Sequence, residues 1–403
     1  MLERFGHTVV PYHRTNHEIG SSLSIIGQLD LAKRTIWASD SLVEFDALLA
    51  SEKPDVVHIH NTFIVISPSI YSACRKRGIP VVQTLHNFRL LCAPSNLFRD
   101  GKVCEECIDH SLLRAIEHKC YRGSASASAV VAAMLGFHRL MGTLEKSIDR
   151  YIALTEFSRE KFMSAGFPAD KISVKPNFLG SDPGVRQRAG DYALYIGRFS
   201  PDKGVPILID AWSRVPKDFR LQIVGDGAER AELEAEVRRR NIDNIAFRGF
   251  LSREDTLATL KSARFLVMPS LWYETFGLVI VEAFACGIPV ICSRLGAMAE
   301  IVHDGVNGLH FTPGDVADLA EKVTSAWNNP GSLESMGHNA RAEFENRYTS
   351  EKNYPALMEI YRQAIRTHGT PDLSRSRREA IQYPRLVASS GPKPPGKSPT
   401  SGR

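Results

Sequence analysis

At 403 residues the chain exceeds what one hydrophobic core usually organises, about 250 residues, so two domains are expected. Its 43% hydrophobic and 24% charged residues exclude a fibrous or low-complexity protein. The formal charge of +5 divides into +3 over residues 1–180, −3 over 181–368 and +5 over 369–403, which excludes the basic folded face that nucleic-acid binding requires.

The longest uncharged stretches, Val56–Cys74 and Gly123–His138, are interrupted by Asn, Ser, Pro, His or Gly, so neither supplies ~20 apolar residues for a membrane span. Met1-Leu2-Glu3-Arg4 leads into no apolar signal-peptide core. Seven cysteines, an odd number with no secretion signal, predict reduced thiols and a cytoplasmic protein.

Along the chain, short β-branched runs alternate with helical patterns, which predicts parallel α/β sheets. The first half offers strands at Thr8–Tyr12, Asp55–His60, Pro80–Leu85, Arg150–Leu154 and Ile172–Lys175, with helices at Leu42–Ser51, Pro68–Lys76 and Ser126–Lys146. The second offers strands at Tyr192–Ile196, Arg220–Val224, Ile245–Phe247, Phe265–Met268, Pro289–Cys292 and Gly308–Phe311. Its helices are expected at Val205–Arg214, Glu229–Arg240, Glu254–Ser262, Gly277–Ala285, Ala317–Trp327 and Pro355–Arg366.

The aperiodic, Gly- and Pro-containing segment 180–190 reads as a linker between a domain at 1–179 and one at 191–350. A last helix at 351–367 is expected to pack back on the first domain. Residues 368–403, rich in Pro, Ser, Gly and Arg, have little to bury and are expected to be a disordered basic tail.

The strongest chemical signal is the 22-residue run Pro269–Val290, in which a strand, a loop and a helix succeed one another. Amides of Phe276, Gly277 and Leu278 at the helix entrance, with the helix dipole, suit a phosphate or a sugar hydroxyl. Glu274 stands in the loop, where it can face a sugar. Glu282 lies two turns into the helix, where it can accept hydrogen bonds from ribose. Without that context, Glu-x7-Glu reads as two solvated glutamates.

Pro269–Val290 resembles the donor-site signature of the family-four retaining glycosyltransferases with the GT-B fold, the group 1 glycosyl transferases. The similarity extends over most of Tyr192–Lys322, through Tyr195–Gly204, Ile223–Gly227 and Gly296–Gly308. It implies two Rossmann-like domains with parallel sheets facing across a cleft. The implied reaction moves a sugar, with retention of configuration, from a nucleoside-diphosphate sugar to a hydroxyl of a glycan or lipid-linked saccharide, as in polysaccharide synthesis.

Carried over by position, Arg198 after Gly197, and Lys203, resemble a basic pair that grips the donor diphosphate; fixed cations there stabilise a departing diphosphate without a required cofactor or metal. Gly225 and Gly227 follow a strand and would admit a nucleotide close to the backbone. Thr275 belongs to the same loop, and Glu300 is expected in the base or ribose pocket. His86, just past a strand's C-terminal end, matches an active-site histidine of the family. His58, His60 and His110 read as turn or core residues.

Three features leave alternatives open. Cys92, Cys104, Cys107 and Cys120, with His118 as a substitute ligand, read either as a zinc staple or as packed thiols, since a second Cys-x2-Cys is missing. Ser126–Lys146, with Arg114, Lys119, Arg122, Arg139 and Lys146 around it, reads either as a packed helix or as a face resting on anionic lipid at the inner membrane surface. The opening Leu2–Val10 resembles the end of the family's first helix and its second strand; its central first strand is missing from that place, so either the true start lies upstream or this form is compromised. The rival functions are a GT-B epimerase or phosphorylase, although no cofactor-lysine motif is present, and a non-catalytic nucleotide-sugar binder.

Overall fold

The computed structural model describes residues 1–15, 18, 19 and 24–368. The first half runs α1 (Ile25–Ile36), α2 (Ser39–Glu52), β1 (Val57–Ile59), α3 (Ile70–Arg77), β2 (Val81–Thr84), β3 (Phe98–Arg99) and β4 (Lys102–Val103). It continues with α4 (Glu106–Asp109), α5 (Leu113–Glu117), α6 (Ala125–Leu140), α7 (Thr143–Lys146), β5 (Arg150–Ala153), α8 (Glu156–Ser164) and β6 (Ile172–Val174). The second half begins with β7 (Tyr192–Ile196), α9 (Val205–Trp212), β8 (Arg220–Val224), α10 (Arg230–Arg239), β9 (Ile245–Gly249) and α11 (Arg253–Lys261). It ends with β10 (Phe265–Met268), α12 (Leu278–Ala285), β11 (Val290–Ser293), α13 (Gly296–Ile301), β12 (Gly308–Phe311), α14 (Val316–Asn328), α15 (Pro330–Arg347) and α16 (Ser350–Thr367).

Two parallel sheets result, ordered β1-β2-β5-β6 and β12-β11-β10-β7-β8-β9. Side chains alternate across the second sheet as the pleat requires. Tyr192, Leu194, Leu266, Met268, Val290 and Cys292 enter the core cluster with α12 and α15. Ala193, Tyr195, Phe265, Val267 and Ile291 enter the one with α9 and α14.

In the first sheet Val81, Tyr151 and Ala153 face a core shared with α2 and α3. Val82 and Ile152, on the other face, are covered by Leu357, Ile360, Tyr361 and Ala364 of α16. The last helix therefore packs back on the first sheet. Its start differs: Thr349 caps it by accepting from the Lys352 N–H at 3.3 Å, and Pro355, taken from sequence as its first residue, lies inside it.

The expected strand Thr8–Tyr12 is absent. Its segment finds no ladder partner among the described residues, Val9 and Val10 are exposed, and Tyr12 docks on α2 through a 3.3 Å bond from its hydroxyl to the Ser41 carbonyl. Alternation alone does not make a strand without a neighbouring backbone to satisfy its polar groups. The helix expected at Ser126–Lys146 is two, α6 and α7, separated at Gly142, whose φ of 63° ends the first. Of the predicted tail, His368 is described, its ring 3.1 Å from Asp149; the rest lies outside the described residues.

Candidate functional site

Open parallel α/β sheets bind ligands beyond the carboxyl ends of their strands. The loop after β7 carries Gly197, Arg198 and Lys203; the loop after β8, Gly225 and Gly227; the loop after β10, Glu274 through Gly277; and the loop after β2, His86.

Lys203 ends a short 3-10 turn, Pro201–Lys203, and Gly204 turns the chain into α9 with a φ of 68°. The Lys203 ammonium donates to Glu274 Oε1 at 2.6 Å and stands 4.9 Å above the Trp272 ring. Ser270 Oγ donates to the same oxygen at 2.9 Å, and Glu274 is almost fully buried. The expected diphosphate lysine and the expected catalytic carboxylate thus neutralise each other.

Arg198 is exposed and its guanidinium makes no hydrogen bond or ion pair among the described residues; its backbone carbonyl accepts from the Tyr195 hydroxyl at 2.9 Å. A free cation thus lies in the loop that ends on a paired one.

The glycines pack protein against protein. A Cβ on Gly225 would lie 1.9 Å from the Gly197 carbonyl oxygen, and one on Gly227 would lie 2.3 Å from that of Phe199. The Phe199 N–H donates to the Asp226 carbonyl at 2.9 Å. The two glycines let the loops after β7 and β8 lie against each other, and that close packing holds the Arg198 loop in place.

At the mouth of α12, Gly277 is the cap with φ 82°, Leu278 is the exposed first residue, and Phe276 is buried edge-on against Tyr348. The amides of residues 276–278 meet no backbone acceptor among the described residues, which leaves the donors that a helix N-terminus presents. Glu282 is half-buried on α12. Its carboxylate makes no hydrogen bond among the described residues, and burial pushes its pKa up, with Arg253 opposing.

The two halves of the site touch. Thr275 Oγ1 donates to the His86 carbonyl at 2.9 Å, bridging residues 189 apart in sequence. Tyr273 reaches across as well, donating to Glu105 Oε1 at 2.8 Å, where Lys161 also donates at 2.7 Å. Neither Glu105 nor Lys161 was expected here; an acidic residue inside the Cys104-x2-Cys107 spacing carries no motif that would have marked it.

Glu300 does not stand in a free nucleotide pocket. Its two oxygens accept the N–H groups of Glu156 and Phe157, at 2.9 and 2.8 Å, at the start of α8. A helix N-terminus has unmet donors and partial positive charge, and this carboxylate from the other half satisfies both.

Burial lowers the His86 pKa to about 4, aided by His60 and Lys175, so its ring is neutral at pH 7. Sequence reasoning missed His60, whose Nδ1 lies 2.8 Å from His86 Nε2. The signal was present in principle: β1 and β2 are parallel neighbours, with Ile59 opposite Gln83, so residues just past their ends share one edge.

No three His, Cys, Asp or Glu side chains among the described residues are set to hold a metal ion. All seven thiols are free, burial pushes Cys92 to about 11 and Cys107 to about 12, and His118 meets Glu106 at 3.1 Å. The zinc-staple reading gains no geometric support; Cys92 is buried, and Cys104, Cys107 and Cys120 are half-buried. No helix among the described residues is long and apolar enough to cross a membrane.

The profile of a glycosyl transferase 4-like domain matches residues 9–177, and that of the glycosyl transferases group 1 matches residues 185–343. An uncharacterized glycosyltransferase of Methanocaldococcus jannaschii is 36% identical over 186 residues, covering 46% of this chain and 52% of that protein, so the chain spans about half its length. A glycogen synthase of Mycobacterium tuberculosis is 32% identical over 331 residues, covering 80% of this chain and 72% of its own. Among solved structures, Anabaena Alr3699/HepE in complex with UDP superposes with a TM-score of 0.60 at 22% identity, covering 79% of this chain and 80% of that one. The paired sheets are those of the GT-B fold, and two profiles in order cover both halves of the chain. The protein belongs to the group 1 glycosyl transferases.

Proposed function

We propose that the protein is a retaining hexosyltransferase that moves a sugar from a nucleoside-diphosphate sugar to a hydroxyl of a glycan or lipid-linked saccharide. The observation that carries this reading is the Thr275–His86 bond, which brings the Glu274 loop of the second half directly against the strand-end histidine of the first. The UDP bound by the Anabaena protein supports a nucleoside diphosphate as the leaving group. The relation to glycogen synthase supports a growing glycan as acceptor.

As the bond from the anomeric carbon to the diphosphate breaks, its electron pair leaves with the diphosphate. Arg198 and Lys203 stabilise that charge. An acceptor hydroxyl oxygen bonds to the anomeric carbon and gives its proton to an oxygen of the departing diphosphate. When Lys203 turns to the diphosphate, Glu274 is left to face the sugar, and the neutral His86 meets it from the other side. Glu282 accepts from ribose, and the amides of residues 276–278 bind oxygens of the donor.

On the acceptor side, Leu140 and Met141 at the end of α6, and Ile25, Ile26 and Leu29 on α1, are exposed apolar residues. They support an acceptor carried on a lipid, held at the cytoplasmic membrane face.

The test is release of free nucleoside diphosphate from a donor panel with free and lipid-linked saccharides as acceptors. Release that depends on acceptor supports the reading; binding of donor with no release under any acceptor contradicts it. Ribose contacts act in ground and transition states alike, so Glu282→Ala should raise the donor KM about tenfold with kcat nearly unchanged, measured by steady-state kinetics. A kcat loss with unchanged KM would move Glu282 out of the ribose pocket.

A further inference from the structure

Beside His86 lie two histidines that the proposed reaction leaves unused. His58 and His60 occupy alternate positions at the end of β1 and so share one face of the sheet. Their rings stack at 4.3 Å, and the His60 ring lies 5.1 Å from that of His86, tilted by 28°.

The bottom of the stack is fixed. His58 Nδ1 is 2.7 Å from the Tyr361 hydroxyl on α16, and its Nε2 is 2.7 Å from Thr84 Oγ1. At the top, His60 Nδ1 and His86 Nε2 are 2.8 Å apart. Two ring nitrogens at that distance need one N–H and one lone pair between them. The tautomer of either histidine therefore dictates that of the other.

The groups around the pair are His58 on β1, Lys175 just past β6, Tyr361 on α16 and the uncharged Thr275 from the loop before α12. Lys175 is buried, donating to Asn353 Oδ1 at 2.9 Å, and its charge together with desolvation disfavours a protonated imidazole at either position. With both rings neutral, a single shared proton makes the bond directional. His86 Nδ1 makes no hydrogen bond among the described residues and is the nitrogen left for a ligand.

We propose that His60 is the positioning residue of the site: through its Nδ1 it fixes the ring orientation and tautomer of His86. This rests on the reading of His86 as the histidine that meets the transferred sugar.

The experiment compares His60→Ala, His60→Asn and His86→Ala in donor turnover, donor binding and pH profile, with nitrogen-15 spectra of histidine-labelled protein. His60→Ala should lower kcat about tenfold, the worth of one neutral hydrogen bond, with donor Kd unchanged. His60→Asn, whose amide reaches the place of Nδ1, should recover most of that loss. Both variants remove one of the influences that depress His86, so the acid limb of the profile should move to higher pH in both. In the spectra, His86 should change from one tautomer in the parent to a mixture in His60→Ala. His60 lies just past the end of β1 and both replacements are smaller than the imidazole, so both variants should fold; melting temperatures check this, and the spectra report on His86 without any turnover.

Equal kcat in His60→Ala and the parent, or equal loss in Ala and Asn, overturns the positioning role, as does an unchanged His86 spectrum. Parent-like turnover by His86→Ala overturns instead the functional reading of His86, and with it any role of His60 in turnover.

Discussion

Replacing Arg198 or Lys203 with Ala should lower kcat by roughly 10²-fold or more, the loss expected if each cation supplies about 3 kcal/mol to a departing diphosphate. Their effects on stability should differ. Arg198 is exposed and unpaired, so Arg198→Ala should melt with the parent. Lys203 and Glu274 form a pair whose side chains are 16% and 8% exposed. Removing the ammonium strands a carboxylate in low dielectric, which costs about 3–5 kcal/mol. Lys203→Ala should therefore lose both activity and several degrees of Tm. The double variant Lys203→Met/Glu274→Gln, which removes both charges, should recover much of the stability and none of the turnover. Steady-state kinetics and thermal denaturation of the three proteins check this. An equal Tm loss in Arg198→Ala and Lys203→Ala would contradict the pairing.

The second large effect is on folding. Gly225 has a φ of 139°, and a Cβ there would sit 1.9 Å from the Gly197 oxygen, a backbone atom that cannot swing away. The Gly225 N–H also donates to the Gly249 carbonyl at 2.9 Å, so the residue is tied from the opposite side. Gly225→Ala must push the Arg198 loop outward or break that bond. A cost of about 3 kcal/mol is expected from overpacking of this kind. The displaced loop carries Arg198, so donor affinity should fall with stability. Chemical denaturation with a donor titration checks both, and a parent-like variant would show that the two loops do not lie against each other.

The second half was legible from sequence because its strands are short apolar runs ended by glycine or proline, as at Tyr192–Ile196 and Phe265–Met268. Both were placed to the residue. α1, α8 and α15 went unseen, since Gly331 and Gly337 inside α15 and the serines near α1 weaken the helical signal, and tertiary packing overrides it. The site was legible as a set of motifs: His86, Arg198, Lys203 and the Glu274 loop all stand at strand ends. What could not be read was who meets whom. The Lys203–Glu274 pair, the capping of α8 by Glu300 and the contact of His60 with His86 each join residues 26 to 144 positions apart. Such contacts depend on how the loops pack, about which the motif spacing is silent.

If Arg198 and Lys203 grip the donor as proposed, the nucleoside diphosphate should not bind without them. The most direct measurement is a thermal-shift panel of UDP-, GDP- and ADP-sugars on the parent and on Arg198→Ala/Lys203→Met. A donor at 100 times its Kd stabilises by about 2.7 kcal/mol, a shift of several degrees. At least one donor should raise the parent's Tm and leave that of the double variant where it was. Equal shifts in both proteins would place the donor elsewhere and contradict that proposal.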